Sequence, residues 1–261
     1  MTTGTPKPQI DTSKPHSARV YDYLLGGRDH FAADRQVGAL LPEKSRRDAR
    51  LNRAFMQRAA AWLASEGVDQ YLDIGTGIPT EPNLHQIVQR INPKSRVVYT
   101  DHDPIVLQHA ESLLASTADG ATDYIEADIR EPLVILEHAR ATLDFSRPIA
   151  LSVIALMHFI TDGQDPYGIT RTLVDALPSG SYLVLTQGTA DFHPQLAGQV
   201  TGTYTKGGIA LRLRAHAEVA RFFEGLAFVA PGLVTAPQWY QEAPAPADED
   251  CSFYVGVARV P

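Results

Sequence analysis

The rhythm of hydrophobic and polar positions changes twice along the chain. Residues 1–15 hold three prolines, several Thr and Ser and little to bury, which predicts a flexible tail. From Ser17, a plausible N-cap, Ala18, Tyr21, Leu24 and Leu25 fall at helical spacing. Gly26-Gly27 ends that helix. A second helix is predicted over 29–41, closed by Pro42, and a longer one over 43–65. In the third, Leu51, Phe55, Ala59, Trp62 and Leu63 share one stripe. Arg46, Arg47, Arg50, Arg53 and Arg58 lie opposite and read as a solvated face.

From residue 70 short apolar runs alternate with helical ones. Strands are predicted at 71–74, 97–99, 123–126, 149–154 and 182–186, and helices at 83–91, 104–116, 131–143 and 166–177. Strands this continuously apolar are buried on both faces, so the alternation predicts an α/β fold with a parallel sheet between helical layers. After residue 215 come a helix (215–223) and two strands (226–229 and 253–257), separated by the Ala-Pro-rich acidic stretch 243–250. They suggest an antiparallel hairpin at the sheet edge.

Composition changes this picture little. The 261 residues are 44% hydrophobic and 20% charged, enough for a sizeable core. The net charge of −7 argues against a general phosphate-backbone binder, so nucleic acid is not an expected partner. A single cysteine, Cys251, can form neither an internal disulfide nor a four-cysteine zinc site. No apolar run reaches the roughly 18–20 residues of a membrane span, and no leader peptide is evident. A cytoplasmic protein without a membrane partner is the expectation.

Three constellations carry chemistry. Asp73-Ile74-Gly75-Thr76-Gly77 follows the first strand, where glycines let backbone approach a ligand; Thr80 stands where a dinucleotide fingerprint has its third glycine. Asp101, with His102 beside it, ends the second strand 24 residues after Gly77, the place of an acid that accepts ribose hydroxyls. Asp128-Ile129 follows the third strand, where a carboxylate can accept from an adenine amine while the apolar side chain packs on the ring. The three strand ends converge on one crevice at the carboxyl edge of the sheet.

The order DIGTG, VVYTD, EADIR and IALSVIALMHF resembles a class I S-adenosylmethionine (SAM)-dependent methyltransferase. The segment Ala18-Arg19-Val20-Tyr21-Asp22-Tyr23-Leu24-Leu25-Gly26-Gly27-Arg28-Asp29 is similar to that of a bacterial family of S-adenosyl methyltransferases of unknown substrate. The resemblance implies a Rossmann-like core at 67–261, with a mostly parallel seven-stranded sheet, under an N-terminal helical lid at 16–66. It implies SAM as cofactor. Asp73, Gly75, Thr76 and Gly77 would surround its amino-acid part and ribose, Asp101 the ribose, Asp128 and Ile129 the adenine, and Ser152 the methionine moiety. Tyr23, Gly26 and Gly27 would be the lid residues nearest to it. His158, after the fourth strand, is the expected general base and His30 a second candidate; His193 and Tyr204 follow.

Absences narrow the acceptor. Ser152-Val153-Ile154-Ala155 stands where amino-methylating DNA enzymes carry an Asn/Asp-Pro-Pro-aromatic motif, and no Pro-Cys nucleophile is present. No Cys/His cluster or HExxH suggests a metal. A small-molecule acceptor is expected. The alternatives are a non-catalytic SAM-binding regulator, a protein or RNA methyltransferase favoured by the arginine face, and a nicotinamide-dependent oxidoreductase, against which Thr80 and Asp128 count.

Overall fold

The structure, a computed structural model, describes residues 11–109, 115–239 and 251–261. Five parallel strands, β1 (Gln70–Ile74), β2 (Arg96–Asp101), β3 (Ala121–Glu126), β4 (Ala150–Val153) and β5 (Tyr182–Gly188), form most of one sheet. With β6 (Ala227–Phe228), β7 (Val234–Thr235) and β8 (Phe253–Arg259), the order is β3-β2-β1-β4-β5-β8-β6, and β7 also pairs β8. The order reverses between β1 and β4, which opens a crevice at their carboxyl ends.

Among the described residues the sheet therefore has eight strands, not seven, and the late hairpin is not a simple edge. β8 lies inside, antiparallel to β5 on one side and to β6 and β7 on the other. Its alternate residues are buried on opposite faces, Val255 and Val257 on one and Tyr254 and Ala258 on the other, as in a strand covered on both faces. The outer edge is split into β6 and β7, two-residue pieces too short to show an alternation in sequence.

The helices are α1 (Ser17–Leu25), α2 (Ala32–Leu40), α3 (Glu43–Ser65), α4 (Leu84–Ile91), α5 (Pro104–Gln108), α6 (Pro132–Ala139), α7 (Pro166–Asp175), α8 (Pro194–Lys206) and α9 (His216–Ala220). Part of the helix expected over 104–116, most of the expected 1–15 tail and all of the acidic stretch 243–250 lie outside the described residues. α8 has no counterpart among the helices that the sequence pattern predicts. Its Gly198, Thr201, Gly202, Thr203 and Thr205 are poor helix formers, and Val200 and Tyr204 hold it by packing against α1 and α2.

The core has three parts. Leu72, Ile74 and Val98 point to the face covered by α6 and α7; Tyr71, Val97 and Tyr99 point to the face covered by α3 and α4. The period of two along β1 and β2 sets this division. α1, α2 and α8 enclose the third, smaller cluster around Val20, Leu24, Val37 and Tyr204. α3 packs on the sheet through Phe55, Ala59 and Leu63, with Phe55 edge-on to Trp239 at 5.5 Å.

The solvated arginine face is corrected for three of its five members. Arg58 donates to the Trp239 and Ala236 carbonyls at 3.1 and 2.6 Å. Arg46 donates to the Tyr23 carbonyl and lies 4.3 Å over the Tyr23 ring. Arg53 donates to the carbonyls of Thr80 and Pro82. A guanidinium offers several donors on a long apolar stem, so these side chains fasten α3 to the loops beside it. Arg47 and Arg50 are exposed. Cys251 is fully buried beside the sheet, and burial pushes its thiol up to about 11. No described helix is long and apolar enough to cross a membrane.

Candidate active site

The loop after β1 is built for close approach. Gly75 and Gly77 have φ of 72° and 68°, left-handed values that glycine adopts without a Cβ penalty. A Cβ on Gly75 would sit 2.6 Å from Leu156 Cδ2. The Gly75 and Thr76 N–H groups both donate to the Thr100 carbonyl, at 2.8 and 3.1 Å, which ties the turn to the end of β2. Asp101 Oδ2 accepts from Gly77 N at 2.8 Å, and its Oδ1 accepts from Asp103 N at 2.9 Å. Asp101 thus sets the loop's shape while remaining an acceptor on the crevice wall, since each carboxylate oxygen has a second lone pair.

Asp73 opposes Ser152 in the β1–β4 register. Burial raises the Asp73 carboxyl above its ordinary range, against the pull of the nearby Ser152 hydroxyl, the Arg53 guanidinium and the Thr76 hydroxyl. Ser152 Oγ is itself buried with no hydrogen-bond partner among the described residues. At the end of β3, Asp128 is partly shielded by burial, but three donors from Arg130 hold its carboxyl below the usual value. Ile129 is buried next to it.

Two adjoining hollows run along these strand ends. One takes in Asp73, Gly75, Thr76, Gly77 and Asp101; the other takes in Asp101, Ala127, Asp128 and Ile129. His16, His102, Leu156 and Phe159 line both. The structure therefore gathers Asp73, Gly75, Thr76, Gly77, Asp101, His102, Asp128 and Ile129 into one continuous crevice, with Ser152 next to Asp73 on the neighbouring strand.

The lid residues facing that crevice are not those expected. His16, Ser17, Ala18 and Tyr21 line it, and Tyr23, Gly26 and Gly27 do not. Residues two apart on a helix point to nearly opposite sides at about 100° each, so turning Tyr21 inward sends Tyr23 outward. There the Tyr23 ring fills the space above Gly38 and beneath Arg46. Gly27 closes the helix end, donating to Asp22 O at 2.9 Å. His30 is likewise outside the crevice: its Nδ1 lies 2.8 Å from Asp22 Oδ2, and its ring meets Tyr23 edge-on at 5.1 Å. It braces the α1–α2 turn.

The segment before α1 is fastened by charge. Arg19 donates twice to Asp103 at 2.9 Å, and His16 Nδ1 is 2.9 Å from the same carboxylate. These contacts outweigh burial and hold the Asp103 carboxyl well below the usual range. His16 Nε2 also meets His102 Nε2 at 3.2 Å, across the waist between the two hollows. Sequence reasoning identified neither His16 nor Arg53 as a site residue, because the proximity of α1 and α3 to the strand ends is a tertiary fact. Arg53 lines the inner hollow, and its Nε is buried without a partner among the described residues.

A third hollow lies on the far side of Tyr21 and Phe159, which line both it and the inner hollow. His158 is part of its wall, as are Tyr204 and residues of α8. Ala155, at φ 53° and held by Thr186 Oγ1 at 2.8 Å from its N–H, makes the sharp turn after β4 that brings His158 and Phe159 there. Burial, aided by the nearby Arg214 charge, pushes His158 down to about 3. The same surroundings favour the neutral imidazole at pH 7. Among the described residues no group of three or more His, Cys, Asp or Glu could hold a metal ion.

Comparison with known proteins agrees with this geometry. A family model described as S-adenosyl methyltransferase matches residues 3–261. The chain is similar to the crystal structure of a DUF574 family protein from Streptomyces avermitilis, at 49% identity and a TM-score of 0.93, covering 97% of this chain and 100% of that one. It is also similar to a putative methyltransferase from Thermobifida fusca, at 34% identity and a TM-score of 0.86, with 99% of each chain covered. A magnesium protoporphyrin IX methyltransferase from Synechocystis, with bound S-adenosylhomocysteine, is 12% identical with a TM-score of 0.52 over 85% of this chain and 89% of that one, and shares the fold. No match was found among curated proteins. A family match that runs almost end to end places the chain in the S-adenosyl methyltransferase family, and it is a SAM-dependent methyltransferase.

Proposed function

We propose that the chain moves the methyl group of SAM to a small-molecule acceptor held in the hollow beyond Tyr21 and Phe159, by in-line displacement. The observation that carries this reading is that these two side chains line both the cofactor crevice and the third hollow, so ligands in the two spaces would meet between them. Bound SAM supplies a sulfonium-activated methyl group; the protein's task is alignment and exclusion of water.

The residues present fit such a cofactor. Asp73 is a carboxylate whose charge burial disfavours, and an ammonium beside it would restore that charge. Arg53, with its unpartnered buried Nε, suits the cofactor's carboxylate, and the orphaned Ser152 Oγ suits either end of the amino acid. Gly75 and Gly77 admit the chain, Asp101 accepts the ribose hydroxyls, and Asp128 with Ile129 holds adenine. Residues 15–41 form the lid in this reading, while α3 stays on the sheet. Release of His16 and Arg19 from Asp103 would open it.

The test has two stages. Calorimetric titration should show micromolar binding of SAM and S-adenosylhomocysteine and none of NAD. Incubation with methyl-labelled SAM and a fractionated cell extract should then place the label in the small-molecule fraction. Label found only in protein or RNA would overturn the acceptor class.

A further inference from the structure

We propose that the acceptor is an uncharged, largely apolar molecule bearing one hydroxyl, and that His158 is the residue that recognises that hydroxyl. This deepens the functional reading above and rests on it for the identity of the third hollow.

The hollow lies between α1, the start of α3, α8 and the ends of β5 and β8, has a volume of about 90 Å³ and opens to solvent on one side. Its wall is mainly apolar, with Leu24, Leu41, Val200, Leu211, Leu213 and Phe253 contributing. Among the described residues that line it, the charged side chains are Lys44 and Asp48, and these pair with each other at 2.7 Å. An acceptor carrying a carboxylate or an ammonium would therefore lose its hydration without gaining a free counter-charge.

His158 makes the opposite demand. It is 6% exposed, and its Nδ1 is buried with no hydrogen-bond partner among the described residues. Phe159 and Phe253 flank the ring at 4.4 and 5.8 Å. Arg214 fixes the turn that carries it by donating to the Met157 and Ile160 carbonyls at 2.8 and 2.9 Å. An unpaired buried nitrogen is costly, and a purely apolar ligand would leave it so. In a neutral imidazole Nδ1 is either a donor or an acceptor according to the tautomer, and a hydroxyl can answer either. Tyr21 is already engaged: its hydroxyl donates to Ala49 O at 3.1 Å and accepts from Asn52 Nδ2 at 3.0 Å, so it has no donor left for a ligand.

The experiment titrates the full chain, saturated with S-adenosylhomocysteine, with 1-naphthol, naphthalene and 1-naphthoate in a calorimeter. 1-Naphthol should bind about tenfold or more tightly than either of the others. H158F should bring 1-naphthol and naphthalene to within about twofold without changing the affinity for S-adenosylhomocysteine. V200W, which fills the hollow away from the crevice, should abolish 1-naphthol binding and keep S-adenosylhomocysteine binding, so the hollow is tested even if H158F fails to fold. Equal or tighter binding of 1-naphthoate, survival of the hydroxyl preference in H158F, or no binding of 1-naphthol overturns the proposal. Failure of the wild-type chain to bind S-adenosylhomocysteine would strike the reading of the crevice as the cofactor site instead, and the same titration of the ligand-free chain would still decide which class of ligand the hollow takes.

Discussion

The cofactor crevice and the third hollow share a wall at Tyr21 and Phe159, yet they are made in different ways. The crevice is built from strand ends, with carboxylates at three of them and two glycines in left-handed backbone. Its polar groups are tied to the backbone: Asp101 holds Gly77 and Asp103, and the Thr100 carbonyl holds Gly75 and Thr76. The hollow is built mainly from helices, with the ends of β5 and β8 and the turn after β4 completing its wall, and among the described residues His158 Nδ1 is its orphaned nitrogen. In the proposed reading the rigid strand-end scaffold serves a fixed cofactor, and the apolar wall leaves acceptor choice to a few side chains. Substitutions in the crevice should therefore move cofactor affinity and stability together, and those in the hollow should move acceptor affinity and leave cofactor affinity unchanged.

The largest effect should come from Gly75. G75A places a Cβ 2.6 Å from Leu156 Cδ2 at φ 72°. A left-handed non-glycine residue costs about 1–2 kcal/mol and overpacking roughly 1–3 kcal/mol more. Thermal unfolding should register the sum, and SAM binding should fall with it. At Gly77, φ is similar but a Cβ there would meet nothing within 4 Å, so G77A should cost about 1–2 kcal/mol. Equal destabilisation by the two would show that Leu156 yields and that the crevice wall is softer than argued.

D101A should come next. The proposed ribose contacts are charge-assisted hydrogen bonds worth roughly 1.5–3 kcal/mol each, so SAM affinity should drop by more than tenfold in calorimetry. Unchanged affinity would remove Asp101 from the cofactor site. R53M should weaken SAM by a smaller factor, because Arg53 also holds the Thr80 and Pro82 carbonyls and part of its loss would appear as stability. A drop in melting temperature with no change in SAM affinity would make Arg53 a structural brace only.

The difference between the regions also decides what sequence alone could reveal. The crevice residues sit immediately after strands, and a strand followed by an acid or Gly-x-Gly is a local pattern. The parallel sheet, α1, α3 and the acids at 73, 101 and 128 are all readable in that way. The hollow depends on α8, where packing of Val200 and Tyr204 overrides three threonines and two glycines, and on which side of α1 faces inward. The choice between Tyr21 and Tyr23 is made by Gly38, which leaves room for the Tyr23 ring. Arg53 reads as one of five surface arginines because a helical period shows which residues share a face and not what that face meets. The place of His158 after β4 is legible, but its role depends on burial and on Arg214, both set by tertiary structure.

The smallest expected effect tests the neutrality of His158 through its pH dependence. Its folded-state value of about 3 lies below the ordinary value near 6.5, so the unfolded chain binds this proton first. The stability this group contributes is fully present above about pH 6.5 and is lost as pH falls toward 3, at up to about 1.4 kcal/mol per pH unit. His85 is shifted in the same direction, by burial against the weaker pull of Glu81, and Asp103 loses its contribution at lower pH. The wild-type curve alone therefore mixes several groups, and the difference between wild type and H158F isolates one. Between pH 6.5 and 4.5 the wild type should lose more stability than H158F in denaturant titrations, and the two slopes should run parallel from pH 7 to 8. Parallel slopes across the whole range would mean that His158 gains a proton in the folded chain at the same pH as in the unfolded one. The hollow would then accommodate charge, and the contrast between a charged crevice and a neutral acceptor wall would fail at its central residue.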